Sequence, residues 1–284
     1  MSSLADLKVG IIGLGSMSGA ILKGLMNVGV QAQHCWAVCS SPERAILRER
    51  EFGISCFAIS EASSYAERLK DVDVILLGVK PLVMPHVLQD LKAVLANYPL
   101  NEKTVVISVA AGVTLSHLQE ALGEVAIVRS MPNTPSLVQE GLTALVSNAF
   151  VSQGHRGVVE SVFGAVGRYF WLKESQLNAF TALFGSGPAY VMLIMEALAE
   201  AGLAEGLPHD VVWEGVTQLL KGSALLQEAS GKLPAQLKKE VITPQGTTIA
   251  GLQALEANGL RHALGEAVRA ATQRADELSQ SLKT

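Results

Sequence analysis

The chain has 284 residues, room for one large domain or two of ordinary size. Apolar residues make up 49% and charged residues only 17%, so a substantial core is available and a buried subunit interface is expected beside it. A net charge of −4 argues against a nucleic-acid surface.

In chain order, Met1 to Lys8 carries Asp6 and runs straight into a strand. It lacks the basic segment and separate apolar core of a secretory signal. From Lys8 to about Lys173, β-branched runs alternate with helical stretches. Strands are predicted at Val9–Gly13, Cys35–Val38, Val72–Val79, Thr104–Val109, Ala126–Arg129, Leu142–Ser147 and Tyr169–Leu172. Several are apolar throughout, as strands covered on both faces must be. Alternating strands and helices imply an α/β, mostly parallel, doubly wound sheet. After Lys173 no strand is predicted, and helices are expected at Pro188–Ala204, His209–Ala229, Gly246–Ala257 and Leu260–Leu282. No stretch is expected to reach the roughly 18 apolar residues that cross a bilayer. Cys35, Cys39 and Cys56 are odd in number and form no Cys-x-x-Cys pair, which suggests neither a disulfide framework nor zinc. The six histidines form no His-Glu-x-x-His helix, so no metal is expected, and a reducing cytoplasm fits.

The first strand runs into Gly13-Leu-Gly15-Ser16-Met17-Ser18-Gly19, a Gly-x-Gly-x-x-small turn that opens a helix predicted over Met17–Val28. Gly13 suits the tight turn, Gly15 lets backbone approach a pyrophosphate, and Ser18 lets the helix pack on the strand. The pyrophosphate would rest on amides at the helix N-terminus. The alternative is a tight turn that binds nothing. This context predicts a Rossmann-type dinucleotide domain over residues 1–173, followed by an all-helical domain over 174–284. The second strand ends without an acid to accept a ribose 2′-hydroxyl. Ser40, Ser41 and Arg44 stand there instead, which favours NADP(H) over NAD(H). Glu43 falls in the next helical turn and is expected to point away. Ser41 before Pro42 also reads as an ordinary helix cap, and both readings can hold.

Further segments are unusual for plain scaffold. Val79-Lys80-Pro81 ends a strand at the sheet's switch point. Ser108-Val-Ala110-Ala111-Gly-Val-Thr114 is small enough to leave room for a cofactor. Met131-Pro132-Asn-Thr-Pro135 holds two prolines within four residues and would wall a nicotinamide pocket. Gly185-Ser-Gly-Pro-Ala-Tyr190 interrupts a helix and restarts it at a proline. Pro244-Gln245-Gly246-Thr247-Thr248 precedes a helix whose N-terminus could hold a small carboxylate, or could be a capped helix and nothing more.

Six segments, in order, resemble the pyrroline-5-carboxylate reductase family. They are Gly13 to Met17, Val79 to Pro81, Ser108 to Thr114, Met131 to Pro135, Phe180 to Tyr190 and Pro244 to Leu252. The resemblance implies hydride transfer to a cyclic imine, giving L-proline, with helical domains interleaved in homodimers that often assemble further into rings. It implies that Thr248 meets the ring nitrogen and that the Gln245–Thr247 backbone holds the carboxylate, with Met131 and Pro132 lining the substrate pocket. A protonated imine is already electrophilic. Positioning its carbon roughly 3–3.5 Å from the nicotinamide and excluding water is most of the task, and no acid–base pair is needed. The chain departs from the family pattern at Ser16, usually Asn, and at Phe184, usually small. Thr243-Pro244-Gln245-Gly246 stands where Ser-Pro-Gly-Gly is usual, and Ile242 where a small or hydroxyl residue is common. Alternatives are reduction of a related cyclic imino acid, a β-hydroxyacid dehydrogenase, or a nucleotide-binding protein without catalysis. The second expects a lysine that Ser186–Met195 lacks. A short-chain dehydrogenase pair, Tyr169 and Lys173, sits on a predicted strand rather than a helix.

Overall fold

The structure, a computed structural model, describes residues 4–281. Leu282, the expected end of the last helix, lies outside the described residues, as do Met1 to Ser3. The chain divides into two compact units, Met1–Gly185 with Thr272–Thr284, and Ser186–Ala271.

The first unit is built on eight strands: β1 Val9–Ile12, β2 Cys35–Cys39, β3 Ser55–Ala58, β4 Val74–Leu77, β5 Val105–Ser108, β6 Ala126–Met131, β7 Gly141–Ser147 and β8 Gly167–Trp171. Its helices are α1 Ser16–Asn27, α2 Pro42–Phe52, α3 Ala62–Tyr65, α4 Met84–Leu95, α5 Leu115–Leu122, α6 Gln153–Gly164 and α7 Leu177–Phe180. A π turn over Thr181–Gly185 follows α7. The sheet order is β3-β2-β1-β4-β5-β6-β7-β8. Neighbours are parallel except β6 and β7, where Met131 faces Ala144 and Val128 faces Ser147.

The apolar strands divide their side chains between two cores, because successive residues point to opposite faces. Val9, Ile11, Ala37, Val74, Leu76 and Ile107 face the core shared with α1 and α6. Ile12, Val38, Ile75, Leu77 and Val106 face the core shared with α4 and α5. Each fully buried aliphatic side chain contributes about 1.5–3 kcal/mol, so the sheet is held from both sides. The strand β3 escaped the sequence reading. Of Ser55-Cys-Phe-Ala58 only Ala58 is fully buried, since β3 is an edge strand paired to β2 alone. It therefore lacks the apolar run that marks the interior strands.

The second unit contains α8 Gly187–Ala204, α9 His209–Ser230, α10 Pro234–Val241, α11 Thr247–Ala257 and the first part of α12 Leu260–Ser281. The short helix α10 was not predicted. The last turns of α12 belong to the first unit, where Asn178 Nδ2 donates to Asp276 Oδ1 at 2.6 Å. The second unit's buried apolar cluster is small: Ala199, Val212 and Val216. Met192, Leu193, Leu198, Leu219, Leu225 and Leu226 are exposed. One stretch corrects the expectation that nothing is apolar enough to cross a bilayer. The helical run Glu174–Ala204 passes by length and composition. Isolated polar residues break the run of apolar letters but barely lower its average.

Candidate functional site

The order of the strands reverses between β1 and β4, since β2 and β3 extend to one side and β5 onward to the other. Such a switch point opens a crevice at the carboxyl ends of the strands. The turn after β1 and the segment after β4 both lie there, so the structure brings Gly13 and Gly15 beside Gly78 and Val79. Gly13 has φ +95, and a Cβ on it would lie 2.6 Å from Val79 Cγ1 and 2.7 Å from the Val79 nitrogen. Its absence of a side chain is thus required by the fold itself.

Gly15 is different. Its φ is −91, and a Cβ would find only Gly78 O, at 3.9 Å. No internal contact demands glycine there, and the space it leaves open faces outward at the switch point. Gly15 is the N-cap of α1, and no side chain caps that helix. The first-turn amides of Ser16, Met17 and Ser18 are therefore not taken by a side chain, and the helix dipole favours an anion beside them. These residues fit a dinucleotide pyrophosphate. Ser16 is exposed and Met17 half-buried. Ser18 is buried, its hydroxyl without a hydrogen-bond partner and directly under Gly78.

At the tip of β2, Ser40 and Arg44 are exposed. Ser41 caps α2, accepting from the Arg44 N–H at 3.4 Å with Pro42 in the first turn. The cap reading of Ser41 is thus present. Glu43 does not point away as expected. Its carboxylate takes a hydrogen bond from the Ser41 hydroxyl, which holds its pKa below the ordinary value. The two residues share one cap, and the N-terminal dipole of α2 favours the carboxylate there.

After β4, Val79 and Pro81 are half-buried and Lys80 exposed. After β5, Ala110 is buried and donates to Ser108 Oγ at 3.3 Å, while Ala111 is exposed. That loop is held from β6. Ser130 Oγ donates to Ser108 O at 2.9 Å. Arg129, 5% exposed, donates to Glu174 Oε1 at 2.9 Å, and the same oxygen accepts the Leu115 N–H at the start of α5. The sequence reading missed this pair. An arginine inside the apolar run Ala126-Ile-Val-Arg129 was its signal, because a buried guanidinium requires a partner.

Beyond β6, Pro132 is buried and Met131 half-buried. The Met131 Cε would lie 3.2 Å from a Cβ on Gly185, so the small residue at the end of the π turn admits the methionine. Asn133 bridges the two segments. Its Nδ2 donates to Phe184 O at 3.0 Å and its Oδ1 accepts the Leu142 N–H at 2.8 Å. Phe184 packs against Phe180 in a tilted pair, 4.8 Å between ring centroids with the planes at 49°. The larger residue at this position is therefore accommodated by an aromatic neighbour.

The remaining predicted residues belong to the second unit. Gln245 adopts φ +58, a conformation that favours glycine. Gly246 is the N-cap of α11 without a side-chain cap, Thr247 is exposed and Thr248 half-buried in the first turn.

Residues 174–278 match a family model described as pyrroline-5-carboxylate reductase dimerisation. Residues 8–112 match one described as NADP oxidoreductase, coenzyme F420-dependent. A pyrroline-5-carboxylate reductase of Arabidopsis thaliana is 39% identical over 97% of each chain. The chain belongs to the pyrroline-5-carboxylate reductase family. Among solved structures, the reductase of Coxiella burnetii covers 96% of this chain and 98% of its own at a TM-score of 0.86 and 33% identity. The pyrroline carboxylate reductase of Plasmodium falciparum, solved with NADP bound, covers 97% and 99% at 0.82 and 30%. Members of the family thus share this two-part chain along its whole length. The dimerisation model matches the segment that carries the exposed leucines and the apolar run Glu174–Ala204.

Proposed function

We propose that this chain reduces 1-pyrroline-5-carboxylate to L-proline with NADPH, NADH serving less well. The open face of Gly15 over an uncapped helix N-terminus carries this reading, in a chain of this family. When bound, the reduced nicotinamide supplies hydride to the imine carbon. Gly13, Gly15, Ser16, Met17 and Ser18 cradle the pyrophosphate, and Ser40, Ser41 and Arg44 receive the 2′-phosphate. Val79, Lys80, Pro81, Ala110 and Ala111 line the cofactor crevice, and Met131 and Pro132 form a rigid wall beside the substrate. Amides of Gln245, Gly246 and Thr247 hold the substrate carboxylate, and the Thr248 hydroxyl meets the ring nitrogen. The functional division falls at 173/174, dimers assemble further into rings, and the enzyme works in the cytoplasm.

Steady-state assays with pyrroline-5-carboxylate and pyrroline-2-carboxylate, each with NADPH and NADH, test the reading. The first substrate with NADPH should give the highest kcat/KM. Preference for the other imine, or turnover of neither, would overturn it.

Two predictions arise here. Arg44→Ala should raise the KM for NADPH roughly three- to tenfold, as for loss of one exposed charge-assisted contact. The KM for NADH should stay near its starting value. An equal rise for both cofactors would show that Arg44 does not meet the 2′-phosphate. Light scattering should give at least twice the 30.0 kDa of one chain. The second unit buries too few apolar side chains to leave its leucines in water, so a monomer at micromolar concentration would contradict the interface.

A further inference from the structure

Two of the three free cysteines lie side by side at the edge of the nucleotide half. In the parallel pairing of β2 with β3, Ala37 faces Cys56 and Cys39 faces Ala58. Residues two apart on a strand share a face, so Cys39 and Cys56 are diagonal neighbours on one side of the sheet. Both touch the core beneath α1. Each thiol bears on the other's pKa, and the backbone of Leu14, inside the glycine turn, bears on Cys39 as well. Arg44 and Arg48 bear on Cys39, while Glu49 and Arg48 bear on Cys56. Cys35 is excluded from this pair. It lies four residues, about 13 Å, back along β2, and burial pushes its thiol up to about 12.

We propose that Cys39 and Cys56 form a peroxide-oxidisable dithiol whose disulfide ties β2 to β3 and weakens NADPH binding. The dithiol stands on the strand pairing and the charges about Cys39; its effect on NADPH rests on the function proposed above. The Cys56 thiol beside it, with Arg48 and Arg44, draws the Cys39 pKa down against the burial that raises it, which favours the thiolate that peroxide needs. Cys39 sulfur attacks one peroxide oxygen, an S–O bond forms, the O–O bond breaks and hydroxide leaves to become water. Cys56 sulfur then attacks the resulting sulfenic acid, an S–S bond forms, the S–O bond breaks and a second water leaves with the Cys56 proton. Two thiols are oxidised and one peroxide is reduced.

The coupling to cofactor follows from geometry. Diagonal Cα atoms on paired strands lie about 7–8 Å apart, beyond the roughly 4.4–6.8 Å that a disulfide spans. The edge strand β3 must therefore draw in, and Cys39 must turn toward it. Leu14 then loses the sulfur that its backbone meets, between Gly13 and Gly15, and the turn that cradles the pyrophosphate loses an anchor. Ser40, next in sequence to Cys39, shifts with it.

The test exposes the full-length enzyme to a small excess of hydrogen peroxide and measures intact mass, peptide linkage and kinetics. A loss of about 2 Da per chain is expected, with Cys39 linked to Cys56 and Cys35 unmodified. The KM for NADPH should rise severalfold with a smaller change in kcat, and dithiothreitol should restore both. Cys56→Ala should keep its untreated activity and show neither the mass loss nor the rise in KM. A stable oxygen adduct on Cys39 without a crosslink, or a link through Cys35 or to a second chain, would overturn the dithiol. A crosslink with unchanged KM for NADPH would overturn the coupling. Should no imine be turned over at all, the proposed function fails, while the mass measurement still decides the dithiol.

Discussion

Thr248→Ala should lower kcat and kcat/KM together by about tenfold to a hundredfold, with the affinity for NADPH unchanged. A hydrogen bond to a charged group is worth about 1.5–3 kcal/mol, and about 1.4 kcal/mol is tenfold in rate. The imine nitrogen changes most during the reaction, so a hydroxyl meeting it acts more strongly in the transition state than in the ground state. Losing such a contact lowers both constants alike. Lost helix capping is the rival cause of a fall in activity. Gly246, not Thr248, is the N-cap of α11, and no side chain caps that helix, so thermal stability should move little. Thr248→Ser keeps the hydroxyl and should retain most of the activity. If Thr248→Ala is as active as the parent enzyme, the role given to Thr248 is wrong. Gln245, whose φ of +58 brings a full side chain into a position suited to glycine, would then be the first residue to examine for a different substrate.

The second large effect separates two glycines that stand two residues apart. Gly13→Ala should destabilise the fold, by about 2–4 kcal/mol, through positive-φ strain and crowding. Its Cβ would sit 2.6 Å from Val79 Cγ1 and 2.9 Å from the Gly78 carbonyl carbon. Gly15→Ala should leave the melting temperature almost unchanged, because its nearest new neighbour is 3.9 Å away. It should nevertheless weaken NADPH binding by tenfold or more, because the added methyl occupies the space through which backbone meets pyrophosphate. Calorimetry and cofactor titration on both variants read the two effects separately. If Gly15→Ala binds NADPH as tightly as the parent enzyme, the turn after β1 is not the pyrophosphate cradle.

The sequence by itself determined whatever depends on neighbours along the chain. The interior strands are legible because residues such as Ile11 and Ile12 must satisfy opposite cores, which makes a strand apolar at every position. The glycine turn is legible because strand, turn and helix are contiguous, and the long helices of the second unit show in their unbroken polar–apolar periods. The absence of an acid at the tip of β2 is likewise a local fact.

Only the tertiary structure decided what depends on lateral order and close approach. It made β3 a strand, since Ser55-Cys-Phe-Ala58 gains its order from β2 rather than from its own burial. It joined Asn133 to Phe184 and Arg129 to Glu174 across gaps of 51 and 45 residues. It separated Gly13, which the fold requires, from Gly15, which the fold leaves open. It also set Cys39 beside Cys56, where their sequence spacing matched no known motif. In each case the deciding interaction lies between segments distant in sequence, and periodicity along one segment carries no record of which side chain will come to rest against it.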